Sequence, residues 1–298
     1  FFTYLVLIII ISFIFIEIFI SENSYLIDNS NNILIKKIPF GYGSLIYNII
    51  NSGEYLSNDL GLNMNVSRLP MLPMIISTLI HISKNIYFVV IVKNIIFFSI
   101  YYFCVIKFIT NHNLKLKYLF IFLIIILYNP YNLFVSLNFV FADFITAILI
   151  PCLFLMIISN YKNKFLIISI LIFTLYLSKT NMFFLTILFT IVVLTLEKDN
   201  KKYFVLIGLF LSVLFWSSFG FLKTGKIPIG QSLISINSWG MSHVLNKDFS
   251  NYYPYRTVDQ INFKNKYKKF KNEWEFYDFY NKQNIEYLKK NKLETANN

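Results

Sequence analysis

Charge is scarce in this chain. Only 14% of its 298 residues are Asp, Glu, Lys or Arg, where soluble proteins carry about a quarter. Cysteine is scarcer still: Cys104 and Cys152 both sit inside apolar blocks. That excludes a disulfide scaffold and a cysteine-ligated zinc site, and both read as small buried hydrophobes. The histidines, His81, His112 and His243, lie far apart in sequence and give no local metal-ligand spacing. Arginine is limited to Arg68 and Arg256, so lysine carries almost all the positive charge. There is no internal repeat, no glycine-rich phosphate loop and no His-Glu zinc motif.

What fills the chain instead is apolar. Hydrophobic residues make up 56% and aromatics 19%, with 33 Phe and 21 Tyr, and mean hydropathy is +0.58. A soluble domain of this size cannot hide that much apolar surface, and the long apolar blocks exclude a disordered chain. Crossing about 30 Å of hydrocarbon at 1.5 Å per residue takes about 20 apolar residues. The backbone must satisfy its own hydrogen bonds there, so such blocks read as helices. The expected fold is an all-α, polytopic membrane helix bundle. Eight blocks are candidates, at about 2–20, 70–84, 86–109, 117–130, 139–159, 165–178, 181–196 and 203–222. Several are short enough to be tilted, kinked or re-entrant. Pro130 and Pro151 are expected break points, because proline removes a backbone donor. The first block lacks the basic start and small-residue cleavage site of a signal peptide. The chain opens on Phe1, and its natural start is expected upstream.

The net charge is +12, from 27 Lys+Arg against 15 Asp+Glu. In a soluble protein that would point to nucleic acid. Here the lysines fall between apolar blocks and in the tail, the pattern of loops held at anionic lipid, and no nucleic-acid partner is expected. Lys115 and Lys117, then Lys162 and Lys164, then Lys198, Lys201 and Lys202 occupy short loops of the same parity, which places them on the cytoplasmic side. The segments near 130–142 and 178–181, and the tail after 222, then face outward. The loop 21–69 has three basic and four acidic residues and no charge signal. Strict alternation puts it inside, and an outward loop requires 70–109 to cross an odd number of times. The domain reading is a membrane part over 1–222, with 21–69 as its large outer loop, and a polar segment over 223–298. That tail holds 13 Lys/Arg and 7 Asp/Glu. Within it Tyr267, Phe270, Trp274, Tyr277, Ile285 and Leu288 keep helical spacing, fitting a helix packed on the membrane part or one lying at the interface.

Charges inside apolar blocks cost several kcal/mol unless paired or hydrated, so each is a functional candidate. Asp143 lies in "NFVFADFITAILI" and Lys179 in "LYLSKTNMFF". Asp143 can serve as acceptor, metal ligand or general base, or sit as a wetted helix-end carboxylate. Lys179 can hold a phosphate as a point charge, or snorkel from a turn. Their shared outward parity favours a joint role at the bilayer surface. Lys93 and Lys107 are expected to snorkel or to face the cytoplasm, and Glu17 to be wetted near the outer end of its block.

Four stretches give a resemblance to a known group. The first is "SLIYNIINSGEYLSN…NVSRLPMLPMIISTLI", through Tyr47, Gly53, Arg68, Pro70 and Pro73. The second is "LYNPYNLFVSLNFVFADF", through Pro130, Ser136 and Asp143, and the third is "LYLSKTNM", with Lys179 where the group has Arg. The fourth is "FWSSFGFLKTGKIPIGQSLISINSWG", through Trp216, Gly225, Pro228, Trp239 and Gly240. Together, over about 40–240, the chain resembles the GT-C membrane glycosyltransferases of family 39 type, which include protein O-mannosyltransferases and bacterial lipid A aminoarabinose transferases. It departs from them in three places. The group's loop acid about four positions before the Tyr is Gly43 here, its Arg-Asn after the Trp is Phe219-Gly220, and its members continue through further membrane helices.

The resemblance implies transfer of a sugar from a polyprenyl-phosphate donor to an acceptor hydroxyl at the outer face. Asp143, with Glu54 or Asp59 in place of the missing loop acid, is the expected carboxylate for deprotonating or positioning the acceptor. Lys179 and Arg68 are the expected phosphate cations, with an interfacial anchor as the alternative for Arg68. Pro70 and Pro73 set the start of their helix. The expected partners are the bilayer, the polyprenyl-phosphate sugar as substrate, and an acceptor lipid, glycan or protein. No metal ligands are singled out and no cofactor beyond the lipid-linked sugar donor is assigned; the sequence does not identify a metal requirement. The location is multi-pass in a plasma or inner membrane with the active face outward. Two rival readings are a subunit of lipid or polysaccharide transport machinery and a catalytically silent relative.

Overall fold

The computed structural model describes residues 42–57, 63–66, 68–115, 118, 142–179, 182–228 and 270–290. Its helices are α1 (Tyr42–Ser52), α2 (Met71–Ile82), α3 (Ile86–Asn111), α4 (Asp143–Ile158), α5 (Lys164–Tyr176), α6 (Met182–Leu196), α7 (Phe204–Thr224) and α8 (Glu273–Lys290), with a 3-10 turn at Asn200–Tyr203. The described residues are helical with no named strand; Ser57 and Met64 form an isolated antiparallel bridge. Two helices are long and apolar enough to cross a membrane, Tyr87–Asn111 and Asn200–Thr224. At 1.5 Å per residue the 26 residues of α3 run for about 39 Å. The four shorter apolar helices have 12 to 16 residues and fall short of about 30 Å of hydrocarbon when straight. The expectation of eight spans is therefore met only in part. Apolar runs in the sequence include turn residues, such as Leu177 and Ser178, that the helices leave out. The block 2–20 and all but Tyr118 of 117–130 lie outside the described residues.

The chain divides into two compact units, one of residues 1–39 and 69–216, the other of 40–68 and 217–298. Residues 40–68, read from the sequence as loop, thus group with the tail. In the first unit α4 packs between α3 and α5, and α5 against α6. Asn85 caps α3, its Oδ1 accepting from the amides of Tyr87 and Phe88 at 2.9 and 3.3 Å. Pro151 does not break α4, which continues through it to Ile158. Proline removes one donor, but a helix with ten buried residues is held on both sides by its neighbours. Threonine hydroxyls in these helices bond back to their own turns, as Thr190 does to Thr186 O at 2.8 Å. The outward faces stay greasy: Phe184, Leu188 and Leu196 on α6, and Phe210 and Phe215 on α7, are about half exposed or more.

One end of this unit is basic. Asn111 Nδ2 donates to Ser159 Oγ at 2.9 Å, Lys164 Nζ pairs with Glu197 Oε1 at 2.7 Å, and Lys202 Nζ donates to the Leu194 and Glu197 carbonyls at 2.7 and 2.8 Å. These contacts gather the ends of α3, α4 and α6 with the starts of α5 and α7. The lysine turns at 162–164 and 198–202 therefore meet here, beside the end of α3; Lys117 lies outside the described residues. Asp143 and Lys179 lie at the far ends of α4 and α5 from this cluster.

The second unit builds its own core from Leu45, Ile46, Tyr55, Met64, Val66, Trp274 and Tyr277, all buried. Gly53, at φ 70, closes α1 with its amide on Ile49 O at 3.1 Å, the left-handed cap that glycine adopts most cheaply. Gly225, at φ 73, ends α7, and the chain turns so that Pro228 lies against Gly220, where a Cβ would collide with the ring. Of the apolar stripe read in the tail, Trp274 and Tyr277 are buried while Ile285 is half exposed. Tyr267 lies outside the described residues.

Candidate functional site

Asp143 opens α4 and Lys179 follows the last turn of α5. Parallel peptide dipoles leave a helix N-terminus partly positive and its C-terminus partly negative, so each charge sits at the end that favours it. The first unit brings them together: Lys179 Nζ donates to Asp143 Oδ1 at 2.5 Å. Their side chains are 34% and 30% exposed, so the pair lies partly exposed at the edge of the apolar bundle. Lys179 is also fixed by its backbone, its carbonyl accepting from Met182 N at 2.9 Å as the chain turns into α6. The Met71 amide donates to Leu177 O at 3.1 Å, which ties the start of α2 to the same turn.

Lys93 departs from the sequence expectation. It neither snorkels nor faces water but is 1% exposed, with Nζ 4.5 Å from the Phe144 ring centroid. Phe144 is the next residue to Asp143 and packs edge-on against Phe97 and Phe98. A cation on an aromatic face is attracted by the ring quadrupole, which offsets part of the loss of water. The sequence signal was present as Lys93-Asn94, two polar residues in the middle of an apolar run; Asn94 is buried too. Lys107 is half-buried, with Nζ over the Tyr161 ring at 4.9 Å.

The other site residues fall elsewhere. Glu54 and Arg68 belong to the second unit. Glu54 is exposed just past the Gly53 cap. The Arg68 guanidinium stands over the Tyr42 ring at 5.2 Å, and its carbonyl accepts from Tyr55 Oη at 2.8 Å. Gly43, at the place of the expected loop acid, is buried in α1. Asp59 lies outside the described residues, as do Pro130, Ser136, Trp239 and Gly240.

Glu273 was not singled out by sequence reasoning. It is 3% exposed and accepts from the amides of Asn65 at 3.0 Å and Val66 at 3.2 Å. Burial raises its carboxyl above the ordinary value, and those two amide bonds pull it partly back. The local signal was a helix start, "NEWE", in which Asn272 Oδ1 accepts from the amides of Trp274 and Glu275, each at 3.0 Å.

Among the described residues no three of His, Cys, Asp and Glu come together as a metal would need. The Asp143–Lys179 pair presents a carboxylate and an ammonium in contact at the rim of apolar helices. No family model, characterised protein or solved structure matches this chain.

Proposed function

We propose that this is a multi-pass membrane glycosyltransferase that moves a sugar from a polyprenyl-phosphate donor to an acceptor hydroxyl at the outer face of the membrane. The observation that carries this reading is the partly exposed Asp143–Lys179 pair at 2.5 Å, an acid and a base meeting at the edge of an apolar bundle. In the reaction the donor phosphate exchanges for the carboxylate on Lys179. The acceptor oxygen attacks the anomeric carbon and gives its proton to Asp143. The bond from that carbon to the phosphate oxygen breaks, its electron pair stays with the lipid phosphate, and Lys179 offsets the charge that develops there. The bilayer admits the prenyl chain, and the acceptor is a lipid, glycan or protein hydroxyl. Arg68 and Glu54 are proposed as a further cation and acid only from their places in the resemblance.

The test is transfer of sugar from a polyprenyl-phosphate donor by the purified full-length protein. Removing a general base lowers turnover by about 10²- to 10⁴-fold, so Asp143→Asn is expected to lose at least about a hundredfold in kcat. Lys179→Met is expected to raise the KM for the donor as well. Unchanged turnover in both variants would sink the assignment. The silent-relative reading is favoured by Gly43 in place of the usual acid, and it predicts no transfer by the wild-type chain.

A further inference from the structure

The basic end of the first unit contains more lysine than its own architecture uses. The turns at 159–164 and 197–203 carry five lysines and two acids. Lys164 is committed to Glu197 at 2.7 Å and to Ile157 O at 3.3 Å, and Lys202 to two carbonyls. Asp199 is committed to capping the 3-10 turn through the Lys201 amide at 2.9 Å. Lys162 and Lys201 are exposed, and among the described residues neither ammonium has an acid partner. They flank a cavity of about 290 Å³ whose walls are Asn163, Phe165, Leu166 and Phe204.

A Cβ on Gly208 of α7 would overlap the Ser169 carbonyl of α5, so the helices touch there. One turn nearer the basic end, Phe165 and Phe204 line the cavity. Apolar Phe165, Leu166 and Phe204 and cationic Lys162 and Lys201 thus share one cleft. Asn163 provides no side-chain cap for α5, leaving that helix start, with its partly positive amides, at the cleft wall. Leu166 and Ile170 on α5, and Phe204, Ile207 and Leu211 on α7, are all about half exposed and continue the apolar face away from the lysines. Helical spacing of three and four puts each set in one row.

We infer that this cleft holds the headgroup of an anionic phospholipid, its phosphate between Lys162 and Lys201 and its acyl chains along the rows from Leu166 and Phe204. Charge complementarity and the continuous apolar face favour a lipid over a soluble anion, for which the greasy rows have no use. The inference requires that the chain lie in a bilayer; it does not require sugar transfer, so it stands or falls separately from the Asp143–Lys179 assay.

The test is native mass spectrometry of the full chain released from micelles holding equal amounts of phosphatidylglycerol and phosphatidylcholine with the same acyl chains. The wild-type chain is expected to retain phosphatidylglycerol at least roughly tenfold in preference, given the strength of lysine–anionic lipid attraction. Lys162→Gln with Lys201→Gln should abolish the preference, and the paired arginine replacements should keep it. Lys198→Gln with Lys223→Gln removes the same charge from lysines outside the cleft and should also keep it. Equal retention of the two lipids by the wild type would overturn the inference, as would equal loss in both glutamine pairs. Displacement of the lipid by inorganic phosphate at matching concentration would reassign the cleft to a soluble anion.

Discussion

Lys179 and Asp143 are each about one-third exposed, and exposed ion pairs contribute about 0–1 kcal/mol. Lys179→Met is therefore expected to shift unfolding by less than about 1 kcal/mol, measured by thermal denaturation in detergent, even where transfer fails. A larger loss would mark the pair as structural. Glu273 behaves differently because it is buried. Its native carboxyl titrates above its ordinary value, near 4.5, so the folded state holds the proton more tightly than the unfolded one. Its contribution is then whole below that ordinary range and declines as pH rises through the native value. Chemical denaturation across a pH series is expected to show stability falling as pH rises above the ordinary carboxyl range. Glu273→Gln should flatten the profile, and an unchanged slope in that variant would rule out Glu273 as its source.

The helices owe their ends to local chemistry. Asn85 starts α3 with a side-chain cap, and Gly53 and Gly225 stop α1 and α7 with positive φ. These signals act within four residues, so the sequence shows them. Helix-to-helix contact is less legible. Gly208 reads as an ordinary residue of an apolar run, yet its missing side chain lets α5 and α7 meet at Ser169. Gly208→Val is expected to destabilise by about 1–3 kcal/mol through overpacking, seen as a lower melting temperature in detergent. Leu211→Ala, on the exposed face nearby, should change stability by no more than about 0.5 kcal/mol. Equal effects would show that the close approach carries no energetic weight. Pro151 makes the converse case: an expected break that packing on both sides overrides.

The apolar helices and the basic end together make a prediction about sidedness. Cys104 and Cys152 are both buried, so they give little background to thiol labelling. In intact cells a membrane-impermeant maleimide is expected to label Lys179→Cys and to spare Lys198→Cys until the membrane is opened. Labelling of both from one side would refute a transmembrane arrangement of the first unit.

Composition and periodicity by themselves pointed to apolar helices, as the described residues show, because hydrophobic burial and helix capping depend on residues near one another in sequence. They also marked Asp143 and Lys179 as charges out of place. Folding alone brought these two into contact from 36 positions apart, buried Lys93 against Phe144, and set Glu273 on amides 208 and 207 residues away. Coulomb attraction, desolvation and hydrogen bonding act over ångströms in space, and chain order does not encode those distances.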